Sequence, residues 1–343
     1  MVKTKKKVRR VVIMEEWQLQ QKQSLPLDIK ISMTKRKITE WYHKYGGMVY
    51  ISYSGGKDSE VLLHLVKGLF SDVPIVFIDT GVEETRLHAL KKAEVIMYPK
   101  KPILKIWKED GLPFPSKQQA NYIHKVKHTN SDYLRSRLLT GIMKDGSKTM
   151  FKLSKKWLPI VKSDIEVSDR CCWYLKKEPF KRYNKESGRK PFIGNMATDG
   201  MERKKQYKQH GCFNLDKEQC MPLGFWTEQD VLQYIITFNL DYAKEQYGDI
   251  IKVNGLLKTT KAKRTGCFPC GFGVHLEKEP NRFQRMEEEN PRLHNIILHK
   301  WIDGAMGKLL DLCNVNYNKP EVAQCDLSQN NKKEAKAFLP LIN

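Results

Sequence analysis

Residues 50–59 read Tyr-Ile-Ser-Tyr-Ser-Gly-Gly-Lys-Asp-Ser and lie between a short apolar, β-rich run and a segment with helical spacing. The run at 48–53 is typical of a strand buried on both faces, and the spacing from 61 to 70 predicts a helix. A glycine-rich turn between strand and helix presents backbone N–H groups and the positive helix end to an anion. The sequence therefore predicts a phosphate-binding loop formed by Ser54, Gly55, Gly56, Lys57, Asp58 and Ser59.

The side chains of this loop indicate its chemistry. The Gly-x-x-x-x-Gly-Lys-Ser/Thr spacing of a Walker loop is missing, so transfer of a terminal phosphate is not expected. Lys57 is expected to offset phosphate charge and Asp58 to hold Mg²⁺ through water, which makes these two the catalytic candidates. Ser54 and Ser59 are expected to donate hydrogen bonds. The alternative is a simple turn with a helix-capping serine, which the full hexapeptide between strand and helix disfavours.

The segments around the loop alternate between the patterns of strands and helices. Apolar runs typical of buried strands occur at 73–79, 95–98 and 192–196, and helical spacing occurs at 29–45, 85–93 and 227–238. We therefore expect an α/β fold, a doubly wound parallel sheet of about five strands, with a cysteine-containing insertion and a helical C-terminal lobe.

Composition predicts three regions along the chain. Residues 1–24 are basic and Gln-rich and are expected to form a flexible arm. Residues 25–245 are expected to form the nucleotide-binding α/β domain, with a polar, basic, substrate-facing insertion at about 118–165. Residues 246–343 are expected to hold a Cys-x-x-Cys turn and a helical C-terminal lobe.

The charge of the chain points to a polyanionic partner. Its 343 residues include 61 Lys and Arg against 39 Asp and Glu, a formal net charge of +22. One basic cluster alone is typical of a solvated face, but the total excess favours nucleic acid, either DNA or tRNA.

The sequence gives no sign of a membrane segment. No stretch reaches the roughly 18 consecutive apolar residues that span a bilayer, and the basic start runs into Glu15, Glu16 and Trp17 rather than an apolar signal core. No long amphipathic run supports binding to a membrane surface. We therefore expect a cytoplasmic protein with no membrane partner.

The eight cysteines include two pairs with the spacing of metal ligands. Cys171-Cys172 and Cys267-Phe268-Pro269-Cys270 together supply four soft ligands, the minimum for a tetrahedral zinc ion or an iron-sulfur cluster. The alternative for the adjacent pair is two buried small hydrophobic side chains. Cys212 and Cys220 have looser spacing and are expected to be structural or incidental, with a metal ligand or a sulfur-handling thiol as the alternative. Cys313 and Cys325 are weaker candidates still.

Residues 50–59, followed by Val76-Phe77-Ile78-Asp79-Thr80-Gly81, resemble the phosphoadenosine phosphosulfate reductase family of the PP-loop ATP pyrophosphatases, whose fold is adenine nucleotide alpha hydrolase-like. The resemblance implies that Asp79, Thr80 and Gly81 lie near the adenosine. It also implies that both cysteine pairs bind a 4Fe-4S cluster, as in many members, with zinc as the alternative metal. The chain looks closer to the DNA-phosphorothioation-type and mobile-element members than to assimilatory reductases.

The resemblance also implies a reaction. An intact loop suits ATP, whereas the tail at 323–327, Ala-Gln-Cys-Asp-Leu around Cys325, departs from the Glu-Cys-Gly tail of sulfonucleotide-reducing members. Adenylation with release of pyrophosphate is therefore expected, followed by sulfur transfer to, or modification of, nucleic acid. The segment 192–205 looks like the family's substrate-proximal loop, in which Arg203 and Lys204 are candidates for phosphate contacts, although Asp199-Gly200 stands where members more often carry Glu-Ser.

Two other functions stay open at this point. One is an adenylyl sulfate reductase, and the other is a non-catalytic module that binds ATP and nucleic acid. For the adenylating enzyme we expect a sulfur donor such as a cysteine desulfurase, and a homo-oligomeric state stays open.

Overall fold

The structure is a computed structural model that describes residues 13–319. Part of the predicted arm and the tail around Cys325 lie outside the described residues. The helices of the described part are α1 Glu16–Gln23, α2 Leu27–Lys44, α3 Lys57–Lys67, α4 Arg86–Lys92, α5 Ile103–Asp110, α6 Lys117–His128, α7 Asp132–Thr140, α8 Leu158–Lys162, α9 Glu178–Ser187, α10 Met201–His210, α11 Glu228–Thr237, α12 Lys244–Tyr247, α13 Arg282–Glu289, α14 Pro291–Asn295 and α15 Ala305–Leu312. The strands are β1 Val49–Tyr53, β2 Ile75–Ile78, β3 Val95–Met97, β4 Lys190–Ile193, β5 Phe213–Asn214, β6 Gln219–Cys220, β7 Ile250–Val253 and β8 Leu256–Thr259.

Six of these strands form one sheet in the order β3-β2-β1-β4-β6-β5. All neighbours are parallel except β5 and β6, which are antiparallel. The chain builds outward from β1 to β3 and then returns to place β4 on the other side of β1, with Ile51 paired with both Ile75 and Phe192. The predicted fold class is confirmed, and this reversal creates the crevice in which open α/β sheets bind ligands.

The sheet of about five strands expected from the sequence is one strand short of the six observed. Strands β5 and β6 have two residues each, too few to produce a detectable apolar run. The hairpin of β7 and β8 was also not predicted. No residue of these two strands is fully buried, so they carry no apolar run of the kind that marks a core strand.

The described chain divides into two compact units, and their boundaries differ from the predicted domains. One unit comprises the described residues up to Asp110 together with Asp169–Cys270, and the other comprises Gly111–Ser168 together with the described residues from Gly271 on. The Cys-x-x-Cys turn at 267–270 belongs to the unit that contains the sheet, whereas the sequence places it with the C-terminal lobe after 245. The predicted basic insertion instead forms a unit with the C-terminal helices.

The core of the first unit surrounds β1 and α3. Val61, Leu62 and Leu65 of α3 are buried, as are residues 49–51 and Tyr53 of β1. Trp226 is fully buried and its Nε1 donates a hydrogen bond to Thr34 Oγ1 at 2.8 Å. Burial of apolar residues on both faces of β1 explains why this strand is a continuous apolar run.

The second unit has a helical core of its own. Helices α6, α7 and α8 bury Ile123, Leu138 and Ile160, and α13 and α15 bury Phe283 and Leu309. Asn281 caps α13 by accepting hydrogen bonds from the backbone N–H groups of residues 283 and 284. The helical lobe predicted from the sequence also starts at this residue.

A helix lies within the segment 1–24 that the sequence predicts to be an arm. Helix α1 spans Glu16–Gln23 and buries Leu19 in the core of the first unit. Its Glu16 carboxylate forms ion pairs with Lys204 and Lys208 of α10. A single buried leucine among Gln and Lys residues gives too weak a periodic pattern to predict this helix.

The search for membrane-spanning segments covers the described residues, and among them no helix has both the length and the apolar character to cross a bilayer.

Candidate active site

A cavity of about 350 Å³ lies at the carboxyl ends of β1 and β4, where the strand order reverses. This volume is within the range of small-ligand sites. The cavity is lined by Ser52, Ser54, Gly56, Lys57, Asp58, Ser59, Glu83, Thr85, Lys176, Ile193, Gly194, Asn195, Met196, Asp199, Arg203, Glu228, Tyr247, Lys263, Arg264, Thr265 and Gly266. All of these residues belong to the first unit.

The predicted phosphate loop forms one wall of this cavity. Gly55 has a φ of +72°, and a Cβ atom there would lie 2.9 Å from the Thr85 carbonyl oxygen, so only glycine fits. Thr85 Oγ1 donates to the Ser54 carbonyl at 2.7 Å, and Ser59 Oγ donates to the Gly56 carbonyl at 2.7 Å. Helix α3 begins at Lys57, which places the unpaired N–H groups of its first turn beside the loop.

Lys57 is held by two oxygen atoms inside the cavity wall. Its Nζ lies 2.6 Å from Glu228 Oε1 and donates to the Lys263 carbonyl at 2.8 Å. Burial acts to raise the pKa of Glu228, but the hydrogen bond and charge of Lys57, with Lys263, outweigh it and hold that pKa below its usual value. The lysine is nearly fully buried and therefore has a fixed position before any phosphate binds.

Asp58 is a buried carboxyl group without a full set of hydrogen bonds. Burial raises its pKa to about 6, the Asp199 charge adds to this rise, and Lys57 and Arg264 oppose it. Among the described residues, its Oδ1 has no hydrogen-bond partner. Asp199 differs because it pairs with Arg203 at 2.7 Å and Arg264 at 2.8 Å.

Not all predicted nucleotide-binding residues line the cavity. Gly55, Asp79, Thr80 and Gly81 lie outside its lining. Asp79 accepts two hydrogen bonds from Arg86, at 2.6 and 2.8 Å, which lower the pKa of this carboxyl although burial opposes them. The Asp79 carboxylate also accepts a hydrogen bond from the Gly81 N–H, which holds the backbone of the segment after β2.

The two predicted phosphate-contacting residues also differ. Arg203 lines the cavity, whereas Lys204 lies outside the lining and pairs with Glu16. The structure therefore brings one of these two side chains to the loop.

The four predicted metal-binding cysteines lie near one another in the first unit. Burial raises the pKa of Cys171, and the charges of Cys172, Cys267 and Cys270 raise it further. Burial likewise raises the pKa of Cys267 to about 12, with Lys176 opposing and Glu83 adding. A bound metal would compensate the cost of these buried thiolates.

The cysteine cluster and the cavity share two side chains. Lys176 and Glu83 both line the cavity, and Lys176 makes a hydrogen bond to Cys267. Residue Glu83 also forms a β-bridge with Cys267, and the N–H of Phe268 donates to the Val82 carbonyl at 2.9 Å. Any chemistry in the cavity therefore takes place next to the cluster of cysteines.

The other described cysteines are buried among apolar side chains. Cys212 and Cys220 belong to the core around the sheet, and Cys313 is buried in the second unit. Burial raises the pKa of each thiol. These environments support the structural role expected for them.

Sequence reasoning missed four important residues of the cavity: Glu83, Lys176, Glu228 and Tyr247. Glu228 had a signal, because it occupies the first turn of a helix capped by Thr227, at the same sheet edge as the loop. Tyr247, whose hydroxyl is 2.8 Å from Thr265 Oγ1, had none.

Comparison with known proteins identifies the class of domain that carries the loop. Residues 48–146 match the family model described as the phosphoadenosine phosphosulfate reductase domain. This match confirms the resemblance inferred from the loop and the segment after β2. The closer relation to phosphorothioation-type members stays a prediction.

Two particular proteins are similar to the chain. An uncharacterized protein of Methanocaldococcus jannaschii is 24% identical over 256 residues, which cover 74% of this chain and 46% of that protein, so the chain spans about half the length of this relative. The solved structure of the U34-tRNA thiolase NcsA from Methanococcus maripaludis with its 4Fe-4S cluster aligns with a TM-score of 0.31 and 14% identity, over 92% of this chain and 91% of that chain. A TM-score of this size does not establish a shared site.

Proposed function

We propose that this chain is a PP-loop enzyme that uses ATP to adenylate a substrate, releases pyrophosphate, and transfers sulfur to, or otherwise modifies, nucleic acid with the help of an iron-sulfur cluster. The observation that carries the proposal is the cavity behind the glycine loop, which shares Lys176 and Glu83 with the four cysteines.

The loop residues are suited to hold the phosphates of ATP. The first turn of α3 supplies N–H donors, and Lys57 supplies a positive charge next to them. Lys57 exchanges its Glu228 partner for phosphate oxygens when ATP enters. Asp58 and Asp199 are suited to hold Mg²⁺, since Asp58 Oδ1 is a buried acceptor with no partner among the described residues. The ion neutralises the phosphates when bound.

In the proposed reaction an oxygen of the substrate attacks the α-phosphorus of ATP. The new bond joins this oxygen to the α-phosphorus, and the bond to the oxygen that bridges to the β-phosphorus breaks. Pyrophosphate leaves with the electron pair, and Lys57 stabilises its developing charge. The adenylated oxygen then leaves as AMP when a sulfur or nitrogen nucleophile attacks the substrate carbon.

The cysteines are suited to hold a 4Fe-4S cluster. The charges of Cys172, Cys267 and Cys270 act on Cys171, and those of Cys172 and Cys270 act on Cys267, so the four thiols are close enough to share one group. Four thiolates are the usual ligands of such a cluster, and zinc stays the alternative metal. When bound, the cluster supplies a site for sulfur, and Lys176 offsets its negative charge.

Positive groups at the cavity support a nucleic-acid substrate. Arg203, Lys263 and Arg264 line the cavity, and at least half of the Lys263 and Arg264 side chains is exposed to solvent. The whole chain carries a net charge of +22. Exposed cations beside a reaction cavity attract a phosphate backbone. The proposal includes a cysteine desulfurase as the sulfur donor and a homo-oligomeric state of the chain.

Product analysis of ATP cleavage tests the proposal. Anaerobically purified protein with Mg²⁺ and sodium sulfide as the sulfur nucleophile should release pyrophosphate and AMP in the presence of bulk tRNA or of DNA, and K57A should not. K67A is the matched control, because Lys67 ends the same helix and pairs with Glu94 on the surface. Sulfite release from adenylyl sulfate would instead support the reductase, and tight ATP binding without any turnover would support a non-catalytic module.

A further inference from the structure

We infer that the second unit contains a site for a divalent transition-metal ion, formed by His124, His128 and Glu166. Two imidazoles and one carboxylate suit borderline ions such as Zn²⁺, Co²⁺ or Ni²⁺ rather than Mg²⁺. The site uses none of the cysteines and none of the residues of the proposed ATP cavity.

The helix places the two histidines together. His124 and His128 are four residues apart on α6, so they share one face of the helix, and their ring centroids are 4.5 Å apart. A pair of histidines with this spacing can bind one ion without any change of the backbone.

The chain after α8 brings the carboxylate to the same place. The Glu166 carbonyl accepts a hydrogen bond from the Leu112 N–H at 2.8 Å, and the next residue, Val167, forms a parallel β-bridge with Leu112. This anchored backbone holds the Glu166 side chain beside α6, with its Oε2 2.9 Å from His128 Nε2.

The ligand atoms of the three residues are nearly as close together as the ligands of one bound metal ion. One ligand atom from each of the three residues lies within 4.8 Å of the other two. Ligands about 2.1 Å from one ion lie at most about 4.2 Å apart, so small side-chain rotations are sufficient to bind it. Three protein ligands leave a further position for water.

A lysine near the site orients the carboxylate. Lys127 Nζ lies 3.0 Å from Glu166 Oε1 and also donates to the carbonyls of Ser163 and Ile165, both at 2.9 Å. Lys127 thus occupies the Oε1 oxygen and leaves Oε2 beside the histidines. The His128 and Glu166 side chains are 51% and 42% exposed, so an ion can enter directly from solvent.

The consequence for the unit is a cross-link. A metal bound here would join α6 more firmly to the segment at 163–168, which Lys127 and His128 of α6 already contact. Because such an ion binds the folded state only, it would raise the unfolding temperature of this unit.

Titration of tag-free, full-length protein with Co²⁺ tests this inference, because a cobalt ion bound through nitrogen and oxygen lacks the intense thiolate charge-transfer band of a cysteine site. We expect one equivalent of Co²⁺ to produce visible d–d absorption without that band. H124A and H128A should weaken this binding at least about tenfold, whereas H43A, which removes an exposed histidine of α2, should not change it.

E166Q provides a second variant that keeps the size of the side chain and one of its oxygens. It should also weaken Co²⁺ binding, with an unchanged circular dichroism spectrum of the metal-free protein. Equal Co²⁺ affinity in the wild type, H128A and E166Q would overturn the inference, as would Co²⁺ binding accompanied only by thiolate charge transfer. These results are independent of ATP cleavage and therefore do not depend on the proposed function.

Discussion

The ammonium group of Lys57 lies 2.6 Å from Glu228 Oε1. Lys57 is the glycine-loop lysine and the first residue of α3, whereas Glu228 is the first residue of α11. The two residues are 171 positions apart in the sequence and meet because α11 packs against α3. Before ATP binds, Glu228 is therefore the counter-ion of the residue that we assign to the phosphates.

Replacing this counter-ion should strengthen nucleotide binding. In E228Q the ammonium of Lys57 loses its charged partner, so phosphate oxygens no longer compete with a carboxylate. We expect the Kd for ATP without Mg²⁺, measured by calorimetry, to fall by roughly three- to tenfold. E245Q, which changes an exposed glutamate of α12, should leave the Kd unchanged. Weaker ATP binding by E228Q would contradict this assignment.

The raised pKa of Asp58 predicts a pH dependence of stability. Its folded pKa of about 6 exceeds its ordinary value of 3.8, so the folded state favours the protonated acid. This contribution is fully present below pH 4 and is lost as the pH rises through about 6. At pH 7.5, D58N should therefore be more stable than the wild type by roughly 1–3 kcal/mol, and the difference should shrink at pH 4.

Urea unfolding at both pH values measures this effect. D216N is the control, because Asp216 is exposed in the same unit and should show no such difference. A D58N protein that is less stable than the wild type at pH 7.5 would contradict the prediction. It would show that the folded protein stabilises the charged form of the Asp58 carboxylate. The same protonation predicts that Mg²⁺-dependent ATP cleavage rises as the pH increases through about 6.

Gly55 provides a test of the loop geometry. A methyl group at this position would lie 2.9 Å from Thr85 O and 3.0 Å from Ala89 Cβ, with a φ of +72°. G55A should lose ATP binding and cost about 2–4 kcal/mol of stability. Gly255 has a φ of +80° and no atom within 4 Å of an added Cβ, so G255A should cost about 1 kcal/mol from backbone strain alone and bind ATP normally. Normal ATP binding by G55A would show that the loop does not hold the phosphates.

The cysteine cluster predicts a coloured protein. Anaerobically purified protein should contain iron and acid-labile sulfide in equal amounts, with visible absorption that C267S and C171S abolish. C313S, which changes a buried cysteine of the second unit, should keep its iron. A colourless protein that contains zinc would refute the cluster and leave the nucleotide site untouched.

The sequence was sufficient for the parts of the fold and site that local patterns encode. The apolar run before Ser54 predicts β1, the helical spacing after Ser59 predicts α3, and the glycines between them predict the loop. The Cys-x-x-Cys turn at 267–270 is a local pattern of the same kind. Each of these depends on fewer than about a dozen neighbouring residues, within the range in which periodicity and turn residues act.

The remaining features depend on contacts between distant residues. The pairing of Lys57 with Glu228, and of Lys176 with Cys267, follows from strand order, which no single segment encodes. Local patterns also do not encode the division into two units, because residues 111–168 form one unit with helices that begin after Gly271. The assignment of Lys204 did not anticipate its partner Glu16, since α1 itself was not predicted.

The central claim is that a substrate oxygen, rather than water, attacks the α-phosphorus of ATP in the cavity formed by Lys57 and Asp58. The most direct measurement is mass spectrometry of the AMP formed in oxygen-18-labelled water with Mg²⁺, sodium sulfide and the nucleic acid that stimulates cleavage. The account predicts pyrophosphate together with AMP that contains no solvent oxygen, and neither product from K57A. AMP that carries one oxygen-18 atom, or formation of ADP and orthophosphate, would contradict it.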